Sequence, residues 1–234
     1  MSDETPDVIT AHDLWKIYCL GKIEYPALRG LSLNVKRGEF VALVGPSGSG
    51  KSTLLNLFGA LDRPTKGQVL IDGVDISKLN DDKLAMLRNE KLGFVFQTFN
   101  LLPYMSAADN VEVPLIARNV GSSERKKIAY ELLKMVGLEG KEKNKPSELS
   151  GGQQQRVAVA RALTNVPKII LADEPTGNLD SKSADEIISI LKTLNKDKGV
   201  SIIMVTHNLQ LTEHCNRVLY LKDGQLEKEV VQNV

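Results

Sequence analysis

Residues 40–58 read FVALVGPSGSGKSTLLNLF. Five apolar residues, Phe40 to Val44, run into a glycine-rich loop. The loop runs into Leu54, Leu55 and Phe58, which are spaced for one face of a helix extending to about Leu61. Strand, glycine loop, helix is the context that phosphate binding requires. Gly45-Pro46-Ser47-Gly48-Ser49-Gly50-Lys51-Ser52, followed by Thr53, fits the pattern G-x-x-x-x-G-K-[ST]. Glycines let backbone N–H groups wrap phosphate oxygens. Lys51 neutralises the β and γ phosphates, and the Ser52 hydroxyl is supplied to Mg2+.

A second anion site stands a hundred residues downstream. Leu149 to Gln153 read LSGGQ and continue into QQRVAVARAL. Ser150, Gly151, Gly152 and Gln153 thus open a helix. Its first N–H groups lack internal partners, and its dipole favours negative charge there. Two phosphate-binding signatures so far apart in one chain imply that two sites meet on one nucleotide.

Three further strand ends carry polar residues. Ile169 to Pro175 read IILADEP, an apolar strand ending in two carboxylates. Ligands of open α/β sheets sit at the carboxyl ends of strands. Asp173 is placed there to hold Mg2+ through water, and Glu174 to orient and deprotonate an attacking water. Gln97 follows the strand-like Leu92 to Phe96, where its side-chain oxygen can ligate Mg2+ or contact that water. His207 follows Ser201 to Thr206, where an imidazole can hydrogen-bond a γ-phosphate. Each alone would read as a turn or surface residue, and the phosphate loop tips the balance. Tyr18, in WKIYCLG, either stacks on a base or packs in the core. Arg125-Lys126-Lys127 reads as the solvated face of a helix, and His12 and His214 receive no role.

Bulk properties bound the rest. The chain has 234 residues, 42% hydrophobic and 25% charged, enough for a packed core. Lys plus Arg (30) nearly balances Asp plus Glu (29), which gives no support to a nucleic-acid binder. Cys19 and Cys215 have no paired spacing, so a disulfide framework is not expected and a cytoplasmic location is the default. No apolar run approaches the ~20 residues needed to span a bilayer, so any membrane part must come from another chain.

Along the chain, residues 1–7 are expected to fray, and 8–40 to form short extended segments with a turn at 36–38. Val69 to Ile71 is a further strand, closed by Asp72-Gly73. From 103 to 146 the pattern turns helical, with Ser123 as a cap and Gly137 just past the end of a helix. Buried parallel strands return at Ile169 and Ser201, separated by a helix with a Ser183-x-x-Glu186 capping box.

The order of these features, phosphate loop, Gln97, LSGGQ, LADEP, Gly177-Asn178-Leu179-Asp180 and His207, resembles the ATP-binding subunit of ABC transporters over nearly the whole chain. FVFQTFNLLP (94–103), DNVEVPL (109–115) and DEPTGNLDS (173–181) resemble its lipoprotein-release and macrolide-export branch, the LolD, MacB and FtsE types. Thr98, Tyr104 and Ala108–Asp109 depart from that branch at the partner-facing loop. The resemblance implies an α/β phosphate-loop ATPase core with a mixed sheet, over 8–234. It adds an N-terminal antiparallel β subdomain and an inserted helical subdomain at about 98–165. It implies ATP and Mg2+ as ligands, with Tyr18 stacking on adenine. Gln97 would be a switch between the Mg2+ site and a membrane partner, and Asp180 would lie in a loop that talks across a dimer. It further implies a head-to-tail homodimer, in which Ser150, Gly151 and Gly152 of one copy close over ATP held by the other. The partner would be an integral membrane permease, with this chain on the inner face of the membrane. Two other functions compete: a nucleotide-gated docking module for a membrane partner, and a soluble ABC ATPase acting on DNA or ribosomes. A single cassette without heptads or basic excess disfavours the last.

Overall fold

Central strands with runs of consecutive apolar residues must be covered on both faces. In the computed structural model, which describes residues 6–21 and 23–232, this is how β3 (Phe40–Val44), β7 (Ile169–Asp173) and β8 (Ser201–Val205) lie. With β6 (Leu92–Phe96), β9 (Arg217–Lys222) and β10 (Gln225–Val231) they form a mixed sheet in the order β10-β9-β3-β8-β7-β6. All pairs are parallel except β10–β9. Alternate side chains enter two cores. Phe40, Ala42, Ile170, Ala172, Ile202 and Met204 enter one; Val41, Leu43, Ile169, Leu171, Ile203 and Val205 enter the other.

The second core is closed by α1 (Lys51–Phe58) and by an antiparallel sheet. That sheet consists of β1 (Asp7–Leu20), β2 (Ile23–Lys36), β4 (Lys66–Ile71) and β5 (Val74–Asp75), in the order β2-β1-β4-β5. The expected short segments before Phe40 are two long strands. Register shifts between Ala11 and Leu14 and between Lys16 and Ile17 break the period-2 pattern, so each strand reads in the sequence as several pieces. Asp7 opens β1, and its carboxylate accepts from Asn34, so it is ordered by pairing. The fraying expected at residues 1–5 lies outside the described residues.

The first core is closed by α3 (Ala107–Ile116), α4 (Ser122–Met135), α5 (Gly151–Leu163) and α6 (Ser181–Lys198). The first three fall within 98–165. Two expected caps are displaced. Gly121, not Ser123, is the N-cap of α4, and Ser123 is its second helical residue. Asp180 caps α6 by accepting from the Ser183 N–H, so the helix starts a turn before the expected Ser183 cap and Ser183 lies inside it. Glu186 instead faces Arg156 of α5 at 3.5 Å. Helix α1 ends at Phe58, with Gly59 as its C-cap, and Leu61 lies beyond it, exposed.

At the opposite edge, the Asp72-Gly73 turn gathers cations from three elements. Asp72 meets Arg37 after β2 at 2.7 Å, Lys91 at the end of α2 (Asp81–Lys91) at 3.0 Å, and Lys168 before β7 at 2.6 Å. Burial opposes ionisation of Asp72, but hydrogen bonds from Lys168, Lys91 and Arg37 outweigh it and hold its carboxyl down at about 2. Asp72 also sits at a left-handed φ of 49°, which Asn tolerates too, so Asp72→Asn isolates the charge. The depressed pKa means that the stabilisation is full above about pH 4 and is lost as pH falls towards 2. With the partly exposed cations discounted for screening, Asp72→Asn should cost about 1–2 kcal/mol at pH 7. Urea unfolding of both proteins should show that gap closing between pH 4 and pH 2. A gap independent of pH would refute the ionic account.

Candidate functional site

The phosphate loop is shaped by what it cannot accommodate. Gly45 follows β3 at φ 158°, and a Cβ there would fall inside the van der Waals shell of the Leu221 carbonyl oxygen on β9. Gly50, the N-cap of α1 at φ 99°, has the Ala27 carbonyl 2.7 Å from where its Cβ would be. The loop is thus pressed between β9 and β2 and closes on itself. The Lys51 ammonium donates to the carbonyls of Gly45 and Pro46, both at 2.8 Å, and lies 3.4 Å from the Ser49 hydroxyl. A recess of about 160 Å3 opens over Gly48–Thr53, lined also by Tyr25 and Ala27 of β2.

Burial pushes the Lys51 ammonium below its ordinary pKa, and Glu174 and Asp173 pull it back up. Asp173 is the mirror image. Burial raises its carboxyl, the Glu174 charge raises it further, and Lys51 lowers it. The ends of β3 and β7 therefore bring together the lysine and both carboxylates. His207, at the end of β8, joins them, with Nδ1 3.0 Å from Glu174 Oε2. That contact leaves Nε2 as the nitrogen free for a ligand. Glu174 holds a left-handed φ of 44°, pinned by its N–H donating to the Val205 carbonyl at 3.0 Å. A non-glycine residue held there marks a position defined by its surroundings.

Gln97, at the end of β6, reaches the GNLD loop. Its Nε2 is 3.5 Å from Asn178 Oδ1, and Asn178 donates back to the Gln97 carbonyl at 3.1 Å. Gly177 is needed for this approach, because its Cβ would lie 2.6 Å from Gln97 Nε2. Tyr18 is part-exposed near the phosphate loop, with Thr53 beside its hydroxyl. It pairs directly across β1–β2 with Tyr25, an exposed aromatic of the recess that the sequence reading missed. Strand register, which sequence alone did not supply, is what places it there.

LSGGQ lies elsewhere. Ser150 is the exposed N-cap of α5; its Oγ accepts from the Gln153 N–H, and Gln153 Oε1 accepts from the Ser150 N–H. The Ser150 hydroxyl proton and the N–H groups of Gly151 and Gly152 are left for an anion. Gly151 lies against Leu179 and Gly152 against Ser183, beside the Asp180 cap, and none of residues 149–153 lines the recess at the phosphate loop. The two candidate anion sites of one chain do not converge.

A match to the ABC transporter family model covers residues 28–177. An uncharacterised ABC transporter ATP-binding protein of Thermotoga maritima is 53% identical over 92% of both chains. A macrolide export ATP-binding/permease protein, MacB, of Syntrophobacter fumaroxidans is 51% identical over 95% of this chain, which spans only 32% of that protein. The dimeric post-hydrolysis structure of the cassette MJ0796, bound to ADP and Pi, superposes with a TM-score of 0.90 at 48% identity, over 97% of this chain and 99% of that one. MJ0796 is from Methanocaldococcus jannaschii. The chain belongs to the ABC transporter family, as an ATP-binding cassette that hydrolyses ATP.

One residue that the sequence reading passed over ties these parts together. Gln155 of α5 is fully buried, and its Nε2 donates to the carbonyl of Phe96, just before Gln97, and to that of Pro175, just after Glu174. Its signal in the sequence was a polar side chain on the apolar face of a helix. Gln155→Leu, close in volume, would leave both carbonyls without this donor, at a cost of about 1–3 kcal/mol. Urea unfolding should register that loss, and ATP turnover should fall several-fold. Unchanged stability and turnover would show that the two carbonyls find other donors.

Proposed function

We propose that this chain powers a transporter by closing head-to-tail on a second copy of itself, with ATP between them. The observation that carries this reading is the separation just described. An exposed, anion-ready helix start stands apart from the recess at the phosphate loop, so the two can share a nucleotide only between copies. The dimeric structures of MJ0796 support it. Binding would then add contacts that exist only in the closed pair, which shifts the population towards it.

Within the closed site, Lys51 and the loop N–H groups hold the β and γ phosphates. The N–H groups of Gly151 and Gly152 and the Ser150 hydroxyl from the second copy cover the γ-phosphate. No cluster of three His, Cys, Asp or Glu side chains fit to hold a metal occurs among the described residues. That suits Mg2+, which keeps several waters and relies on substrate phosphates and one or two protein oxygens. The Ser52 hydroxyl, the Asp173 carboxylate and the Gln97 carboxamide oxygen would hold it, and the raised pKa of Asp173 is the kind a neighbouring cation relieves. Bound there, Mg2+ offsets charge on the β and γ oxygens. Glu174 orients a water and accepts its proton as the water oxygen bonds to the γ phosphorus and the bond to the β–γ bridging oxygen breaks. His207, held by Glu174 through Nδ1, presents Nε2 to the γ-phosphate. Loss of that phosphate removes the shared ligand, and the pair opens.

The driven partner would be an integral membrane permease subunit, placing this chain at the inner face of the membrane. No helix among the described residues is long and apolar enough to cross a membrane. A groove of about 500 Å3 runs between α2 and β6 on one side and α3 and α5 on the other, lined by Ala85, Phe94, Phe96, Pro114 and Arg161. It ends one residue from Gln97, which supports it as the place where the site and such a partner communicate.

Glu174→Gln should keep ATP binding, lose nearly all turnover and accumulate an ATP-bound dimer. Steady-state ATPase assays and gel filtration with ATP would show this, and full hydrolysis by the variant would rule out Glu174 as the base. Lys51→Ala should instead weaken ATP binding itself, by roughly tenfold or more, since a charge-assisted contact of about 1.5–3 kcal/mol is removed. Unchanged affinity by calorimetry would remove Lys51 from the phosphate site.

A further inference from the structure

Tyr18 does not stand alone beside the phosphate loop. Its hydroxyl donates to Asp62 Oδ2 at 3.1 Å, and the other Asp62 oxygen accepts from the Lys16 ammonium at 2.6 Å. The same ammonium lies 5.0 Å from the centre of the Tyr18 ring, within cation–π range, and also donates to the Arg63 carbonyl at 2.9 Å. The Arg63 N–H closes the cluster on Asp62 Oδ1 at 2.7 Å. One carboxylate therefore tethers the ring by its hydroxyl and holds a cation against the ring, which occupies one π-face.

Asp62 lies four residues beyond α1, the helix that begins at Lys51, so the tether joins the ring to the element that carries the phosphate loop. A plain staple between this loop and β1 is the simpler account, but that staple already exists. Thr65 N–H donates to the Trp15 carbonyl at 2.8 Å, and Ile17 N–H donates to the Thr65 hydroxyl at 3.0 Å. What Asp62 and Lys16 add is control of the ring. A side chain already held in its binding orientation gives up less freedom when a ligand stacks on it. The charges of Lys16 and Asp62 pair with each other, so holding the ring adds no net charge beside it.

We propose that Asp62, with Lys16, is a positioning residue for base recognition: it fixes Tyr18 so that one ring face is presented to the purine of the bound nucleotide. This rests on the reading of Tyr18 as the base-stacking residue. Asp62 touches no nucleotide atom on this account and acts only through the ring.

The test uses the purified chain and ligands that are not hydrolysed: ADP, CDP, and inorganic pyrophosphate, which lacks a base. Calorimetry is run on wild type, Asp62→Ala, Asp62→Asn, Tyr18→Ala and the double variant Asp62→Ala/Tyr18→Ala, each checked for folding by its thermal melt. Asp62→Ala should weaken ADP about three- to tenfold, narrow the preference for ADP over CDP, and leave pyrophosphate unchanged. Tyr18→Ala should weaken ADP at least as much, and Asp62→Ala should add nothing in that background. Asp62→Asn keeps an acceptor for the hydroxyl but loses the negative charge that pairs with Lys16, so it should fall between wild type and Asp62→Ala. An equal loss for pyrophosphate would place Asp62 on the phosphate loop instead and overturn the proposal, as would losses that multiply in the double variant. ADP binding that responds to Tyr18→Ala but not to Asp62→Ala would leave Asp62 a staple. ADP binding indifferent to Tyr18→Ala would remove the base-stacking reading itself, and this inference with it.

Discussion

Everything chemical in this molecule depends on one constraint: a parallel sheet buried on both faces offers ligands only the ends of its strands. Side chains along β3, β7 and β8 are committed to the two cores, so polar groups can appear only where those strands stop. The carboxyl ends of β3, β6, β7 and β8 carry Gly45, Gln97, Asp173–Glu174 and His207 respectively. Register does the rest. Leu43 pairs with Val205 and Asp173 with Val205, so the end of β8 lies between the ends of β3 and β7, and His207 has Glu174 within reach.

The charges assembled there are out of balance in a way that fits a phosphate ligand. Lys51 is partly desolvated and satisfied by two carbonyls and a hydroxyl of its own loop, while Asp173 is raised by burial and by the neighbouring Glu174. An anion near the ammonium and a cation near the carboxylates would each relieve a local penalty. Contrast Asp72, where three cations already hold the carboxyl at about 2. The same kinds of residue there have saturated one another, and the cluster ties β2, α2 and β7 together.

How much of this was legible in the sequence follows from how local each signal is. The phosphate loop and the strands ending in Asp173 and Val205 are contiguous runs, and they stand where the sequence placed them, β8 stopping one residue short of the expected Thr206. Signals that depend on a partner strand were lost. The bulges split β1 and β2 into apparent fragments, and the β9–β10 hairpin alternates too weakly to stand out without its neighbour β3. Helix caps went astray for a similar reason. Ser183 and Asp180 both look like caps, and the choice between them turns on where the chain leaves the GNLD loop, three residues before the Ser183 N–H. Gln155 and Tyr25 are the instructive misses. One is a polar residue on a buried helix face, the other an aromatic facing Tyr18 across a hairpin, and each acquires meaning only from atoms far away in sequence.

Helix α5 is where these separate facts become one device. Its first turn carries the exposed Ser150 and the free N–H groups of LSGGQ. One turn on, Gln155 holds the backbone on either side of the candidate site, before Gln97 and after Glu174. Two turns further, Arg161, kept below its ordinary pKa by burial, donates to the carbonyls of Phe99 and Asn100, two consecutive residues in left-handed conformation. Non-glycine residues stay in that region only when their surroundings hold them there. A single rigid rod therefore presents its N-terminus to the outside while its flank sets the backbone that leaves Gln97 for the groove. On the reading proposed for the site, a second copy's nucleotide pulls on that N-terminus. The displacement then has no need of a long chain of side chains to reach the groove, because both ends of the path are bonded to the same helix.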